Sequence, residues 1–231
     1  MFDAFLAEYP LCYVYWHRYA EYELNHTGGE ACRAVYERAV SEAGIPYCVE
    51  LWEFYCQYAI TKSTLGNNEK EAIFERALQR IQLDWNAAKI WELYIYWQAE
   101  NNPEKTLSVY ERALAIPMAR LEDIFQRYDI LIIFPFFFLF GISRHAILSH
   151  RFQQFAASRP VSELGSVAYA EGASEADMRV QYVSHYTTIF QNSQQEMTKR
   201  MPWENEVRND TRSRLKRHPL MSELFFVFLL L

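Results

Sequence analysis

Apolar positions recur at steps of three and four through the first half of the chain, in three similar blocks. In the first block Trp16, Tyr19 and Glu23 fall at helical spacing and share one side of a helix. Thr27-Gly28-Gly29 breaks the pattern, because glycine accepts the φ values a turn needs. A second helix is predicted from about Glu30 to Ala43, with Ala31, Val35, Ala39 and Val40 on one face. Gly44 reads as the residue just past its end, and Pro46 stops any continuation. The second block has Trp52 and Tyr55, a turn at Gly66-Asn67-Asn68, then Ala72, Ile73, Phe74, Ala77 and Leu78. The third has Trp91, Tyr94 and Trp97, then Asn102 as N-cap with Pro103 at the first helical position. Its second helix carries Val109, Tyr110, Ala113 and Leu114, and closes at Pro117.

The blocks are repeats. Tyr36-Glu37-Arg38-Ala39, Phe74-Glu75-Arg76-Ala77 and Tyr110-Glu111-Arg112-Ala113 each follow their tryptophan by about twenty residues. The tryptophans are 36 and 39 residues apart and the Glu-Arg phrases 38 and 36 apart. Pro10 precedes Trp16 by six residues, as Pro46 precedes Trp52; Asp84 replaces the proline at about that offset before Trp91. Self-similarity at this period marks an α-solenoid of antiparallel helical hairpins, in which each unit buries a face it cannot bury alone. Large Trp and Tyr residues on the first helix need small partners, which Ala39, Ala77 and Ala113 supply. The Glu-Arg dipeptide is expected to tie neighbouring helices through charge-assisted hydrogen bonds, with Glu23 the candidate partner of Arg38. These positions read as structural, since an array reuses them in every unit.

Trp-x-x-Tyr, aromatic-Glu-Arg-Ala and a closing proline resemble the half-a-TPR (HAT) repeat. TPR units keep a stricter period with a Gly-x-x-Tyr phrase that is missing here. The run Phe5 to Trp16 with Tyr19-Ala20, then Leu51-Trp52 and Ile90 to Trp97, is similar to the opening of the pre-mRNA-processing factor 39 family. The likeness resumes after Arg179 at Tyr182, Tyr186, Gln195, Glu196, Lys199-Arg200, Trp203-Glu204 and His218-Pro219-Leu220. Between Trp203 and His218 the chain departs from the family, so no contact there is transferred. The resemblance implies a nuclear, non-enzymatic splicing scaffold in or near the U1 snRNP. It implies protein–protein contacts with splicing factors of that particle, self-association through HAT repeats, and no cofactor. RNA contact would be indirect or weak.

Five stretches follow from the pattern: a HAT array over 1–122, an apolar insert over 123–149, a linker over 150–178, a family-like helical or partly disordered stretch over 179–224, and an apolar tail over 225–231. Ile130 to Phe140 has neither helical nor strand periodicity. A buried helix is opposed by Pro135, and a membrane anchor by length, since spanning takes about 20 residues. Translated intron is the account its Phe-, Leu-, Ile- and Pro-rich composition favours. Removing about Asp123 to Ser149 restores the family's spacing to His150-Arg151-Phe152-Gln153-Gln154-Phe155. With the tail, this makes the sequence read as a truncated piece.

Composition narrows the function further. The 231 residues are 51% hydrophobic with a net charge of −6, so the chain as a whole is not a polycation and makes no general case for nucleic acid. Residues 199–218 are the exception, with seven Lys or Arg against three acids. That stretch reads as a solvated helix or tail before it reads as an RNA contact. Only 7 Gly and 8 Pro oppose a β-rich or largely disordered chain. Met1 to Pro10 has no basic region of the kind a signal peptide carries. Cys12, Cys32, Cys48 and Cys56 match no zinc spacing and read as small buried hydrophobes of a reducing compartment. No His-Glu-x-x-His, phosphate loop or Gly-x-Ser-x-Gly elbow occurs, and nothing recommends an enzyme. The expectation is a scaffold of pre-mRNA splicing. A HAT or TPR-like adaptor of RNA 3′-end processing or of chaperones is the alternative.

Overall fold

The computed structural model describes residues 1–133, 151, 154 and 175–217, with backbone alone for 133, 175–179 and 211–217. Among the described residues the elements are all helical. They are α1 (Phe2–Glu8), α2 (Tyr13–His26), α3 (Gly29–Ala39), α4 (Val49–Thr61), α5 (Asn67–Ile81), α6 (Ala88–Asn101), α7 (Pro103–Leu114), α8 (Leu121–Ile133) and α9 (Glu175–Arg217). Helices α2 and α3, α4 and α5, and α6 and α7 pair as hairpins; α2 packs on α4 and α4 on α6, so the hairpins stack in chain order. This is an α-solenoid. Helix α8 continues the stack from α7, and α9 lies against both α7 and α8.

Position in the stack decides how apolar each helix is. Helix α4 is enclosed by α2, α5 and α6, and it buries Val49, Leu51, Trp52, Tyr55, Cys56, Tyr58 and Ala59, most of its circumference. The outer helix α3 buries a single stripe of Cys32, Val35, Tyr36 and Ala39. Ala39, Ala77 and Ala113 are fully buried, which lets paired helices approach closely. Pro103 takes the first helical position of α7, and Asn102 stands at its N-cap without a side-chain capping bond.

Several expected boundaries move. Helix α3 ends at Ala39, not Ala43, and Gly44 is not a left-handed cap. A Cβ on Gly44 would sit 2.2 Å from the Ala39 carbonyl oxygen. Its role is therefore to let the chain fold back against the end of α3, where the Ile45 N–H donates to that same oxygen at 2.7 Å. Gly28, at φ 116, does need glycine's freedom. Asn67 and Asn68 lie in α5, not in the turn: Gly66 precedes the helix, and its N–H donates to the Glu69 carboxylate at 3.2 Å.

The division at residue 122 falls inside α8. Within that helix Ile124, Tyr128 and Ile132 are buried against neighbouring helices. Residues 134–140 of the apolar run, most of the linker and the tail 225–231 lie outside the described residues. The helical stretch expected over 179–224 falls largely within α9, and it is not solvated throughout. Tyr182 and Phe190 are buried, with Phe190 stacked on Phe125 at 4.0 Å between ring centroids.

Candidate functional site

The repeated phrase builds one piece of chemistry at each junction between units. The second-helix aromatic of one unit stacks on the first-helix tyrosine of the next: Tyr36 on Tyr55 at 5.1 Å and Phe74 on Tyr94 at 4.9 Å between centroids. The adjoining glutamate then accepts that tyrosine's hydroxyl, Tyr55 to Glu37 at 2.5 Å and Tyr94 to Glu75 at 2.8 Å. The same carboxylate holds the next unit's arginine. Arg76 reaches Glu37 at 2.8 Å, and Arg112 forks onto both oxygens of Glu75 at 2.7 and 2.8 Å. Each guanidinium covers its own unit's indole: Arg38 over Trp16 at 5.1 Å, Arg76 over Trp52 at 5.7 Å and Arg112 over Trp91 at 5.4 Å. The repeated phrases thus build one seam, formed again at each junction.

The proline offset has a similar cause. The Trp16 indole N–H donates to the Pro10 carbonyl and that of Trp52 to Pro46, both at 2.8 Å. Six residues before Trp91 stands Trp85, whose carbonyl instead accepts the Ala119 N–H at 2.8 Å. The buried Trp91 indole nitrogen finds no acceptor among the described residues.

Glu23 is not the partner of Arg38. Arg38 pairs with Asp3 at 2.6 Å, and Tyr19 donates to the same carboxylate at 3.2 Å. Asp3 on the short α1 thus takes the place that the preceding unit's glutamate fills elsewhere. The far end holds a rung that repeat reading missed. Glu111 accepts from Arg151 at 2.8 Å, and Arg151 lies 39 residues after Arg112, within the range of the earlier intervals. Phe125 and Tyr128 likewise stand 34 residues after Trp91 and Tyr94. That is a fourth Trp-x-x-Tyr register with phenylalanine for tryptophan, and the spacing alone could have shown it. Tyr128 lies tilted against Tyr110, with centroids 6.1 Å apart, yet Glu111 takes its hydroxyl bonds from α9, from Tyr182 and Tyr186. Pro117 stands outside the seam; its carbonyl accepts from Arg200 at 3.2 Å.

Electrostatics separates the rungs. The Arg112 hydrogen bonds hold Glu75 below the usual carboxylate range, and Arg38 does the same for the exposed Asp3. Burial pushes Glu37 up, but Arg76 and Tyr55 outweigh it and leave it low. Glu111 is deeper; burial holds it above its ordinary value despite Arg151. His17 is held low by burial, stacked on Phe54 at 3.8 Å with its Nδ1 2.9 Å from the Tyr36 hydroxyl. Burial raises the Cys32 and Cys48 thiols to about 11, leaving them poor nucleophiles. Among the described residues no cluster of His, Cys, Asp and Glu could hold a metal, and no helix is long and apolar enough to cross a membrane.

The outer edge of the stack differs in kind. Leu11, Tyr47 and Leu83 are 74%, 63% and 54% exposed and lie 36 residues apart, each in a turn leading into a hairpin. The exposed apolar residue thus recurs at the same place in each repeat.

A family model described as the PRP39 N-terminal HAT repeat matches residues 1–130. The chain belongs to the PRP39 HAT-repeat family. Pre-mRNA-processing factor 39 of Schizosaccharomyces pombe is 28% identical over 216 residues, covering 90% of this chain and 34% of the relative. The mouse protein of the same name is 35% identical over 134 residues, 55% of this chain and 20% of its own length. The mRNA 3′-end-processing protein rna14 of Emericella nidulans is 26% identical over 149 residues, 56% of this chain and 14% of the relative. The chain therefore spans between 14% and 34% of the length of these relatives, and the match to residues 1–130 reaches past the division at 122 into α8.

Proposed function

We propose that the chain is a non-enzymatic scaffold of pre-mRNA splicing that acts in the nucleus. It holds splicing-factor proteins in or near the U1 snRNP during 5′ splice-site recognition and self-associates through its HAT repeats. The seam is the observation that carries this reading. Its ionisable groups are consumed in joining one unit to the next, so they stiffen a stacked surface. Relatives named for pre-mRNA processing support the same reading, and the apolar residues exposed in the turns suit protein contacts.

Affinity purification of the tagged chain from nuclear extract, followed by identification of RNA and protein, is the test. Recovery of U1 RNA with its proteins is the expected result; their absence beside recovered 3′-end-processing factors would replace it with the second reading. That reading, a HAT adaptor of 3′-end processing, rests on the similarity to rna14.

A further inference from the structure

Helix α1 stands ahead of the first hairpin, yet it meets that hairpin as the end of another unit would. Phe2 stacks on Tyr19 with centroids 5.0 Å apart and planes 9° from parallel, the contact that Tyr36 makes with Tyr55 and Phe74 with Tyr94. Asp3 accepts from both Tyr19 and Arg38, the same two donors that Glu37 and Glu75 take from the unit after them. Phe2-Asp3 stands 34 residues before Tyr36-Glu37, so α1 carries the first two residues of the phrase in register. They enter a socket of Tyr19, Arg38 and Trp16, whose guanidinium lies 5.1 Å from the indole centroid and 5.4 Å from that of the phenol ring.

The fit is partial. Ala4 takes the arginine's place in the phrase and Phe5 the alanine's. Ala39 and Ala77 are fully buried at the internal positions, whereas Phe5 stays half-buried and leans on Tyr15 at 4.2 Å. Aspartate is also one methylene short of glutamate, and the Tyr19 hydroxyl stands 3.2 Å from it, against 2.5 and 2.8 Å at the internal junctions. Its side chain is 65% exposed, against 35% for Glu37 and 41% for Glu75, so water competes for its bonds. Of α1 itself only Leu6 is buried among the described residues, and a helix of seven residues has little stability of its own.

We propose that this socket is a docking site for an amphipathic helix of another protein that presents an aromatic-Glu-x-Ala phrase, with α1 as the built-in competitor that holds the site until such a helix arrives. The socket fixes the chemistry of its occupant. An aromatic ring covers Tyr19, a carboxylate of glutamate's reach takes the Tyr19 hydroxyl and Arg38 together, and a small residue one turn on allows close approach. A second copy of the chain is a poor source, because its own phrases are engaged: Glu37 with Arg76, Glu75 with Arg112 and Glu111 with Arg151. The socket's chemistry is independent of which complex the chain serves.

The probe is a fluorescein-labelled peptide of the α5 sequence, Asn67–Ile81, which carries Phe74-Glu75-x-Ala77; the full chain is titrated into it and anisotropy is followed. Phe2→Ala/Asp3→Ala empties the socket and is expected to tighten binding about tenfold, since the apparent dissociation constant falls as the competent fraction rises. Asp3→Asn keeps the shape of α1, removes only the charge, and is expected to tighten binding about threefold, the scale of an exposed ion pair. Arg38→Gln should weaken binding about tenfold, and a Glu75→Gln probe should lose as much, because each removes a charged hydrogen bond. Hydrogen exchange checks that α4 to α7 keep their protection in every variant. Equal affinity of parent, Asp3→Asn and the double variant, or no loss with the Glu75→Gln probe, overturns the proposal. So does a double variant whose mass in sedimentation rises with concentration in the absence of probe, which would assign the socket to a second copy.

Discussion

Trp52 and Trp91 stand at equivalent positions and carry unequal bonds, which makes them a controlled pair. Phenylalanine at 52 forfeits the indole bond to the Pro46 carbonyl and leaves that acceptor wanting; at 91 it removes a donor without an acceptor among the described residues. Both lose ring volume and the guanidinium's better stacking surface, so those terms nearly cancel in the difference. Trp52→Phe is therefore expected to cost about 1 kcal/mol more than Trp91→Phe in urea melts, the net scale of one hydrogen bond. Equal costs would mean the proline offset is incidental. The carboxylates give a second comparison. Glu75 sits below its ordinary pKa in the fold, so the stability it lends is whole above the unfolded carboxylate range and is lost as pH falls through the depressed value. Its side chain is 41% exposed, and solvent screens the pair; Glu75→Gln should cost about 1 kcal/mol at neutral pH and progressively less in acid. Glu111 is raised instead. Its ionised form is a burden at neutral pH that eases as pH falls through its raised value, so the gap between Glu111→Gln and parent should drift the opposite way. Melts of the two variants from pH 7 to 3 check both signs at once.

At the level of helices, the hydroxyl on Glu111 comes from the wrong element by repeat logic. Register gives the bond to Tyr128 on α8, as α4 gives Tyr55 and α6 gives Tyr94, yet Tyr182 of α9 makes it, while the buried Tyr128 hydroxyl finds no partner among the described residues. The bond is thus an anchor for α9 more than for the array. Tyr182→Phe should raise amide hydrogen exchange across residues 180–200 by at least several-fold while α2 to α7 keep their protection, since local opening follows local contacts. Uniform loss of protection would instead make α9 part of the array's cooperative core. The same junction shows what sequence could and could not disclose. Hairpins, turns and the tryptophan and Glu-Arg-Ala positions were legible, because one unit's needs repeat in the next. The arginine's partner was not: pairing crosses from one unit to the next, 37 residues from Glu75 to Arg112, so a search within one hairpin led to Glu23. Asp3 was invisible for a related reason, since α1 supplies the carboxylate without the phrase around it. Helix α8 was masked by composition. Its Phe125-x-x-Tyr128 register stands next to the dense apolar run that begins at Ile130, which has no helical period of its own to mark where the helix lies.

Across the whole molecule, stability should be shared in the manner of a one-dimensional stack. Each hairpin touches its neighbours and little else, so its contribution is its own folding plus two junctions, or one at an end. Trp52 serves a central unit. Its truncation to alanine removes a buried indole, the Pro46 bond and the surface beneath Arg76, which also bonds Glu37 of the previous unit. Loss of about 3–5 kcal/mol is expected for a large core truncation, comparable to the stability of a whole small domain. Both flanking junctions should weaken with it, so the described array should melt earlier as a unit. Trp16 is similarly buried and similarly bonded, but its outer junction is made by the short α1, through Asp3 and the rings of Phe2 and Phe5. Trp16→Ala should therefore fray the first hairpin and leave α4 to α7 largely protected. Hydrogen exchange on the two variants separates these outcomes: global loss for Trp52→Ala and loss confined to residues 1–44 for Trp16→Ala. If both variants fray only locally, the seam's hydrogen bonds do not couple the units. The scaffold would then be a chain of independent hairpins, unable to hold partners at a fixed spacing.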